Sequence, residues 1–151
     1  CRAVWEGEPP VSFTAATVVF EEIWMEPRPV QTRVPVWYGG ALTEPMIRRI
    51  VTLGDGWLPL GPTPDEIGEG VEVLRAAFTA AGRDPAALGV RAGLPVATDA
   101  DGRVDPAATV AVVPELVAHG VTCVSVALGR FIRSQADIEP FLADLVAALR
   151  A

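Results

Sequence analysis

Pro35-Val36-Trp37-Tyr38-Gly39-Gly40 is a short apolar run that stops at a glycine pair, and Thr43-Glu44-Pro45 behind it reads as the opening of a helix. Glycines let backbone N–H groups approach a phosphate closely, and a helix N-terminus favours negative charge, so a strand ending this way makes a compact anion site. The same residues also suit a plain tight turn from strand to helix. Upstream, Cys1-Arg2-Ala3-Val4-Trp5 looks like the inside of a helix, which suggests that the chain is the back portion of something longer.

Working outward from residue 34, strands and helices alternate. A strand over 34–38 leads to a helix from about Glu44 to Leu53, with Met46, Ile47, Ile50, Val51 and Leu53 on its apolar stripe and Gly54 as its stop. Asp55-Gly56 turns the chain into a short strand through Trp57, Leu58, Pro59 and Leu60. Thr63-Pro64-Asp65-Glu66 has capping-box spacing with proline in the first turn, and the helix it opens runs to about Ala81 with Ile67, Val71, Leu74 and Phe78 buried. Val90 to Val96 reads as the third strand, and Asp99-Ala100-Asp101-Gly102 as a turn rather than a calcium loop, because Gly102 falls too early for one and position 110 is Val. A helix from about Pro106 to His119, kinked by Pro114, closes on Gly120, and His119 beside that glycine suits stabilisation of a helix C-terminus. Val121 to Leu128 is the last strand. Its bulky Val124, Val126 and Leu128 should meet helices while the small Cys123, Ser125 and Ala127 face a narrow interior. A helix from Ile138 to Leu149 ends the chain.

Four such strand-helix units imply parallel strands joined by right-handed crossovers. By themselves they fit half of a (β/α)8 barrel or a small open sheet. Before them, residues 11 to 26 favour a β-hairpin through Val11, Phe13, Val18, Phe20, Ile23 and Trp24, and Pro27-Arg28-Pro29-Val30 reads as an extended connector. The expected division is therefore 1–33, a helix end with hairpin and connector, and 34–151, the four units.

Composition narrows the function classes. Half of the 151 residues are hydrophobic, enough for one domain with a core, and no apolar run is long enough to cross a bilayer. With no leader-like segment, a cytoplasmic protein is expected. A net charge of −7 without a Lys/Arg cluster argues against nucleic acid. Cys1, Cys123 and the lone His119 supply neither a disulfide framework nor a metal ligand set. Glu21, Glu22 and Glu26 lie in the hairpin region with nothing to fix two of them around a bond, and no acid/base pair or nucleophile constellation is visible.

Four pieces in order, Glu26-Pro27-Arg28-Pro29-Val30-Gln31, Pro35-Val36-Trp37-Tyr38-Gly39-Gly40, Leu53-Gly54-Asp55-Gly56-Trp57-Leu58-Pro59 and Gly82-Arg83-Asp84-Pro85, resemble the luciferase-like monooxygenase superfamily of TIM-barrel flavin and deazaflavin oxidoreductases. The third and fourth pieces most resemble members that use coenzyme F420. This resemblance implies that the segment from Trp5 through Val30 corresponds to the end of the fourth barrel helix and a hairpin insertion, and that the chain is the C-terminal half of the barrel, strands five to eight. It implies hydride transfer through bound F420, or alternatively FMN, with most residues for turnover in the front half, so the chain alone is expected to lack turnover. Two positions depart from the family pattern: Ala15-Ala16 at the hairpin tip, where glycine with a polar neighbour is common, and Tyr38, where a smaller aliphatic residue is common.

On this reading Gly39 and Gly40 carry backbone contacts to the cofactor's side chain and phosphate, and Tyr38 and Ala41 form the neighbouring wall. Trp57 near the mouth of its strand, and Arg130 just past the last strand, are candidates for a small-molecule substrate, Arg130 through an anionic group. Their alternatives are ordinary packing for Trp57 and a solvated loop for Arg130. Uncovered sheet edges also favour pairing with a front-half chain or a second copy. From a different class, the chain could be a non-catalytic subunit or self-assembling scaffold, or a phosphate-binding barrel of unrelated chemistry.

Overall fold

Residues 1–150 are described by the computed structural model, in two units, Cys1–Val36 and the chain from Trp37 onward. In the first unit, α1 (Arg2–Glu6) carries an ion pair between its end residues, Arg2 and Glu6, at 3.0 Å, and Arg2 also donates to the Val34 carbonyl at 3.2 Å. β1 (Val11–Thr14) and β2 (Val19–Ile23) pair antiparallel, with Phe13 opposite Phe20 and their rings stacked at 5.6 Å. Ala15-Ala16 forms the tip, closed by the Ala15 amide donating to the Val18 carbonyl at 2.8 Å. The pairing thus covers less of 11–26 than the alternation suggested. Arg28, in the proline-rich connector, returns to this unit by donating to the Gly7 carbonyl at 2.8 Å.

The second unit is a four-stranded parallel sheet in the order β3-β4-β5-β6: β3 (Trp37–Gly39), β4 (Gly56–Leu58), β5 (Gly89–Gly93) and β6 (Cys123–Ser125). α2 (Glu44–Leu53) follows β3, and α3 (Pro64–Ala80) follows β4. α4 (Pro106–Val110) and α5 (Val113–Ala118) lie between β5 and β6, and α6 (Ile138–Arg150) comes last. The α/β alternation read from the sequence is therefore present, with parallel pairing at every step.

Every strand is shorter than its apolar run, for identifiable reasons. β3 begins at Trp37 rather than 34 because Pro35 has no N–H to give a ladder. β4 stops before Pro59, and β5 ends at Gly93, although the Leu94 amide still donates to the Ser125 carbonyl at 2.9 Å before Pro95. β6 covers only 123–125, after which the chain tightens into a 3-10 turn over Leu128–Arg130. The expected single helix from 106 to 119 is two, because the Pro114 ring opposes the carbonyl four residues back, at Val110, where α4 ends.

The helices cover one face of the sheet. Ile50, Ile67, Val71, Leu74, Phe78, Val90 and Ala92 are buried there, and Val124, Val126 and Leu128 pack against them as the pattern of the last strand suggested. Leu53, assigned to the buried stripe of α2, is instead 52 % exposed. The capping box at the start of α3 is complete: the Glu66 amide donates to the Thr63 hydroxyl at 3.4 Å, and the Thr63 amide donates to the Glu66 carboxylate at 2.7 Å. Both hydrogen bonds from Thr63, its amide first, hold the Glu66 carboxyl below its ordinary pKa. Asp99 organises the turn after β5 by accepting from the amides of Asp101 and Arg103, each at 2.9 Å.

Candidate functional site

The register decides which side chains share a face. Trp37 pairs with Gly56 and Gly56 with Gly89, and the Trp37 indole covers both glycines on the face away from the helices. A Cβ at Gly56 would stand 2.5 Å from Trp37 Cδ2 and 2.8 Å from the Gly89 carbonyl oxygen, and one at Gly89 would collide with the far edge of the same ring. Continuing along that face come Leu58 on β4, Arg91 on β5 and Cys123 on β6, the last two directly paired.

At the carboxyl end of β3 the glycine pair forms a corner. Gly40 has φ +131°, a conformation that favours glycine, and its amide donates to the Leu58 carbonyl at 3.0 Å. Its carbonyl accepts from the Trp57 indole N–H at 2.8 Å. Gly40 therefore has both backbone groups engaged and acts as the fixed hinge of the corner. Space remains above the pair: a Cβ on Gly39 would meet nothing nearer than Leu58 at 3.8 Å, and one on Gly40 nothing nearer than Met46 Cε at 3.7 Å. Beyond the corner, the Thr43 hydroxyl caps α2 by accepting from the Met46 amide at 3.4 Å, while the amides of Ala41, Leu42 and Glu44 have no acceptor among the described residues. Tyr38 points to the helix side, where Arg49 approaches its ring at 5.9 Å.

Trp57 also points to the helix side. It is 3 % exposed and packed so closely on Gly70 of α3 that a Cβ there would stand 2.7 Å from the ring. Its place is in the core, with one edge on a cleft of about 340 Å³ beside the corner, lined by Gly40, Ala41, Leu42, Glu66 and Glu69 among others. That cleft holds carboxylates and no cation. Arg130 lies elsewhere, on a cleft of about 480 Å³ at the carboxyl ends of β4, β5 and β6, which it shares with Arg91 and Ser125. The structure thus gathers Gly39, Gly40 and Ala41 at one corner, and joins Arg130 with Arg91, which sequence reasoning had passed over. Alternation could have found Arg91: it sits between buried Val90 and Ala92, so it must face the other side of the sheet.

The fold and its carboxyl-end rim can be compared with known proteins. The family model described as luciferase-like monooxygenase matches residues 1–127. The chain belongs to the luciferase-like monooxygenase family. Arg130 lies beyond the matched residues. An uncharacterised protein of Mycobacterium tuberculosis is 37% identical over 83 residues, which is 55% of this chain and 29% of that protein. Among solved structures, an F420-dependent secondary alcohol dehydrogenase in complex with an F420-acetone adduct is similar with a TM-score of 0.65 at 13% identity, over 83% of this chain and 52% of that one. The coenzyme F420 dependent tetrahydromethanopterin reductase of Methanopyrus kandleri gives 0.62 at 16%, over 83% of this chain and 53% of that one. A monooxygenase of Streptomyces bottropensis gives 0.53 at 17%, over 95% and 41%. At these identities the likeness shows the fold. The chain spans about half the length of the first two structures and under a third of the mycobacterial relative.

Within this luciferase-like chain, the two pieces Leu53–Pro59 and Gly82–Pro85 meet in space. Arg83 donates to the carbonyls of Val51 at 2.7 Å, Gly54 at 2.9 Å and Ile50 at 3.3 Å, closing the C-terminus of α2. Its guanidinium lies 4.1 Å from the Phe78 ring centroid and 3.7 Å from the Asp55 carboxylate. Asp84 caps the next turn by accepting from the Ala86 amide at 2.9 Å. His119 closes α5 as expected, its Nδ1 2.8 Å from the Glu115 carbonyl, and its Nε2 also reaches the Asp65 carboxylate at 3.1 Å. The hydrogen bond to the Glu115 carbonyl raises the His119 pKa above its ordinary value; burial opposes it, and Asp65 adds a lesser rise.

Proposed function

We propose that this chain is the C-terminal half of a (β/α)8 barrel that supplies one wall of the cofactor site in an F420-dependent oxidoreductase, with FMN as the alternative cofactor. The observation that carries the reading is the Gly39-Gly40 corner at the carboxyl end of the first parallel strand. In barrels that rim is where ligands gather, and here it runs directly into a capped helix N-terminus.

The residues fit such a group by shape and by backbone chemistry alone: with Glu66 and Glu69 on the adjoining cleft and no cation there, the phosphate has only backbone amides to hold it. The open space above Gly39 and Gly40 admits a phosphate-bearing chain, the amides of Ala41, Leu42 and Glu44 are available to donate to it, and Ala41 bounds the corner, whereas the Tyr38 ring, expected there from the sequence, turns to the helix side against Gly54 and Arg49. When bound, the deazaflavin or flavin supplies hydride chemistry. The chain's part is to hold and orient: Trp57 fixes the Gly40 carbonyl, Leu58 fixes its amide, and the ladder sets the height of the corner relative to the rim. Trp57 itself would act on substrate only through that corner, since its ring is buried. The residues for turnover belong to a front half. The two exposed free cysteines fit a reducing compartment, in keeping with a cytoplasmic site of action.

Titration of F420 and of FMN into the purified chain, followed by cofactor fluorescence, tests this. The expectation is weak saturable binding of one of them without turnover, lost in Gly40→Val. Absence of binding to either, or turnover by the lone chain, refutes it.

A pairing role rests on a separate observation. β3 and β6 are the edge strands of the sheet among the described residues, and parallel sheets are normally covered on both faces. A front-half chain or a second copy would cover the face that bears Trp37, Leu58 and Arg91. Light scattering behind size-exclusion chromatography reads this directly, and a well-behaved monomer at micromolar concentration counts against it.

A further inference from the structure

The cleft at the carboxyl ends of β4, β5 and β6 has a charge opposite to that of the chain as a whole. The chain has 19 acidic and 12 basic residues, yet this lining holds two arginines and no aspartate or glutamate. Neither Arg91 nor Arg130 has a carboxylate partner among the described residues, so both guanidinium groups are available to an anion. Both are also placed by backbone rather than left on a loose loop. Arg91 is held in the ladder by its pairing with Cys123, and Arg130 closes a 3-10 turn by donating its amide to the Ala127 carbonyl at 2.8 Å. The rest of the lining is largely apolar, with Leu58, Leu60, Ile67 and Leu94, and the volume of about 480 Å³ is that of a small-molecule site.

We propose that Arg91 and Arg130 form an anion subsite for substrate, taking a carboxylate or phosphate head while the apolar body of the molecule lies against Leu58 and Leu60. The guanidinium fork matches both head groups in bidentate geometry, and an apolar, acid-free surround strengthens the attraction. This deepens the proposed function and rests on its reading of the carboxyl rim as the ligand end. The subsite is separate from the glycine corner, because the two clefts share only Leu60 and Pro62 in their linings.

Calorimetric titration of the full chain with 4-phenylbutanoate, its neutral amide and phenyl phosphate tests the proposal. The acid or the phosphate should bind at least tenfold more tightly than the amide, and whichever is tighter identifies the head group. Arg91→Gln and Arg130→Gln should each weaken the anion about tenfold while leaving the amide unchanged, and Arg91→Lys and Arg130→Lys should recover part of the loss. Circular dichroism confirms that the variants fold. Equal binding of acid, phosphate and amide, or unchanged binding by both glutamine variants, overturns the proposal. F420 separates the two readings. If the glutamine variants weaken F420 as much as the anions, the arginines serve the cofactor tail and the substrate assignment falls. If neither F420 nor FMN binds while the discrimination between acid and amide persists, the cofactor reading falls and the anion subsite stands.

Discussion

Replacing Arg83 with alanine should unfold the protein at a distinctly lower urea concentration. The side chain donates to three carbonyls at the end of α2, lies over Phe78 and sits 3.7 Å from Asp55. Hydrogen bonds from a charged donor contribute about 1.5–3 kcal/mol. A cation over an aromatic ring adds ~0.5–1 kcal/mol, a cation at a helix C-terminus about 0.5 kcal/mol, and the partly exposed pair with Asp55, long at 3.7 Å, at most ~0.5 kcal/mol. Because the freed carbonyls regain water in the variant, the net loss is set near the lower part of that sum, about 3 kcal/mol. For a chain of this size that corresponds to a fall in Tm of roughly 6–12 °C. Tryptophan fluorescence in a urea series measures it, with the midpoint shifting and the slope unchanged. Arg83→Lys keeps the charge but loses the fork, and should recover less than half. A stability within ~0.5 kcal/mol of the parent for Arg83→Ala, the range of ordinary surface changes, refutes the view that this arginine closes α2.

Gly56→Ala places a Cβ against both the Trp37 ring and the Gly89 backbone, so it should destabilise by about 1–3 kcal/mol, whereas Gly89→Ala meets only the swinging end of the ring and should cost less; paired urea curves decide the order. Trp57→Phe removes the donor to the Gly40 carbonyl, and should lower stability by about 1–2 kcal/mol and weaken cofactor binding in the same titration that Gly40→Val abolishes. His119 contributes through its protonated form, since its folded pKa is raised. That contribution is complete below the ordinary value of 6.5 and is lost as pH rises through the higher folded pKa, so the gap between the parent and His119→Gln should be wider at pH 5.5 than at pH 9 in thermal melts. Glu66 runs the opposite way: its folded pKa is lowered, so its capping contribution holds above 4.5 and disappears as pH falls below that, and Glu66→Gln should match the parent only in strong acid.

Legibility in the sequence tracked how local the determining physics is. The bounds of α2 and the start of α3 were readable because Thr43, Thr63, Pro64 and Glu66 act within one turn of themselves. Strand lengths were not, since an apolar run says nothing about which of its amides find a partner; Val34–Val36 and Val126 are apolar, yet lie outside the ladders. The glycine corner was visible as a motif, but the engagement of the Gly40 amide by Leu58 depends on register between strands. Trp57 looked suited to a pocket because it ends near the rim. Its direction was fixed by the pleat, which sends it to the helices and sends Leu58 to the other side. Alternation gives the side of the sheet for Arg91, which is exposed, but only the pairing with β4 and β6 shows that this exposure borders a cleft.

Within the pieces that mark the family, side chains that hold the fold and those that would meet a ligand lie on different surfaces of one sheet. Gly54, Asp55 and Arg83 close the end of α2, while Trp57 ties β4 to the Gly40 carbonyl, and all of these contacts are structural. They fix where the carboxyl ends of β3 and β4 lie. The side chains of Leu58 and Arg91, projecting from the opposite face at the same heights, inherit that placement, and only their backbones take part in it. A change at Arg91 can therefore alter which head group the cleft accepts at little cost to the fold, because no core contact depends on it. A change at Arg83 does the reverse, moving stability while leaving the charge of the cleft as it was. That separation makes the two arginines a paired control: Arg91→Gln should change anion discrimination at nearly constant urea midpoint, and Arg83→Lys should shift the midpoint with discrimination retained.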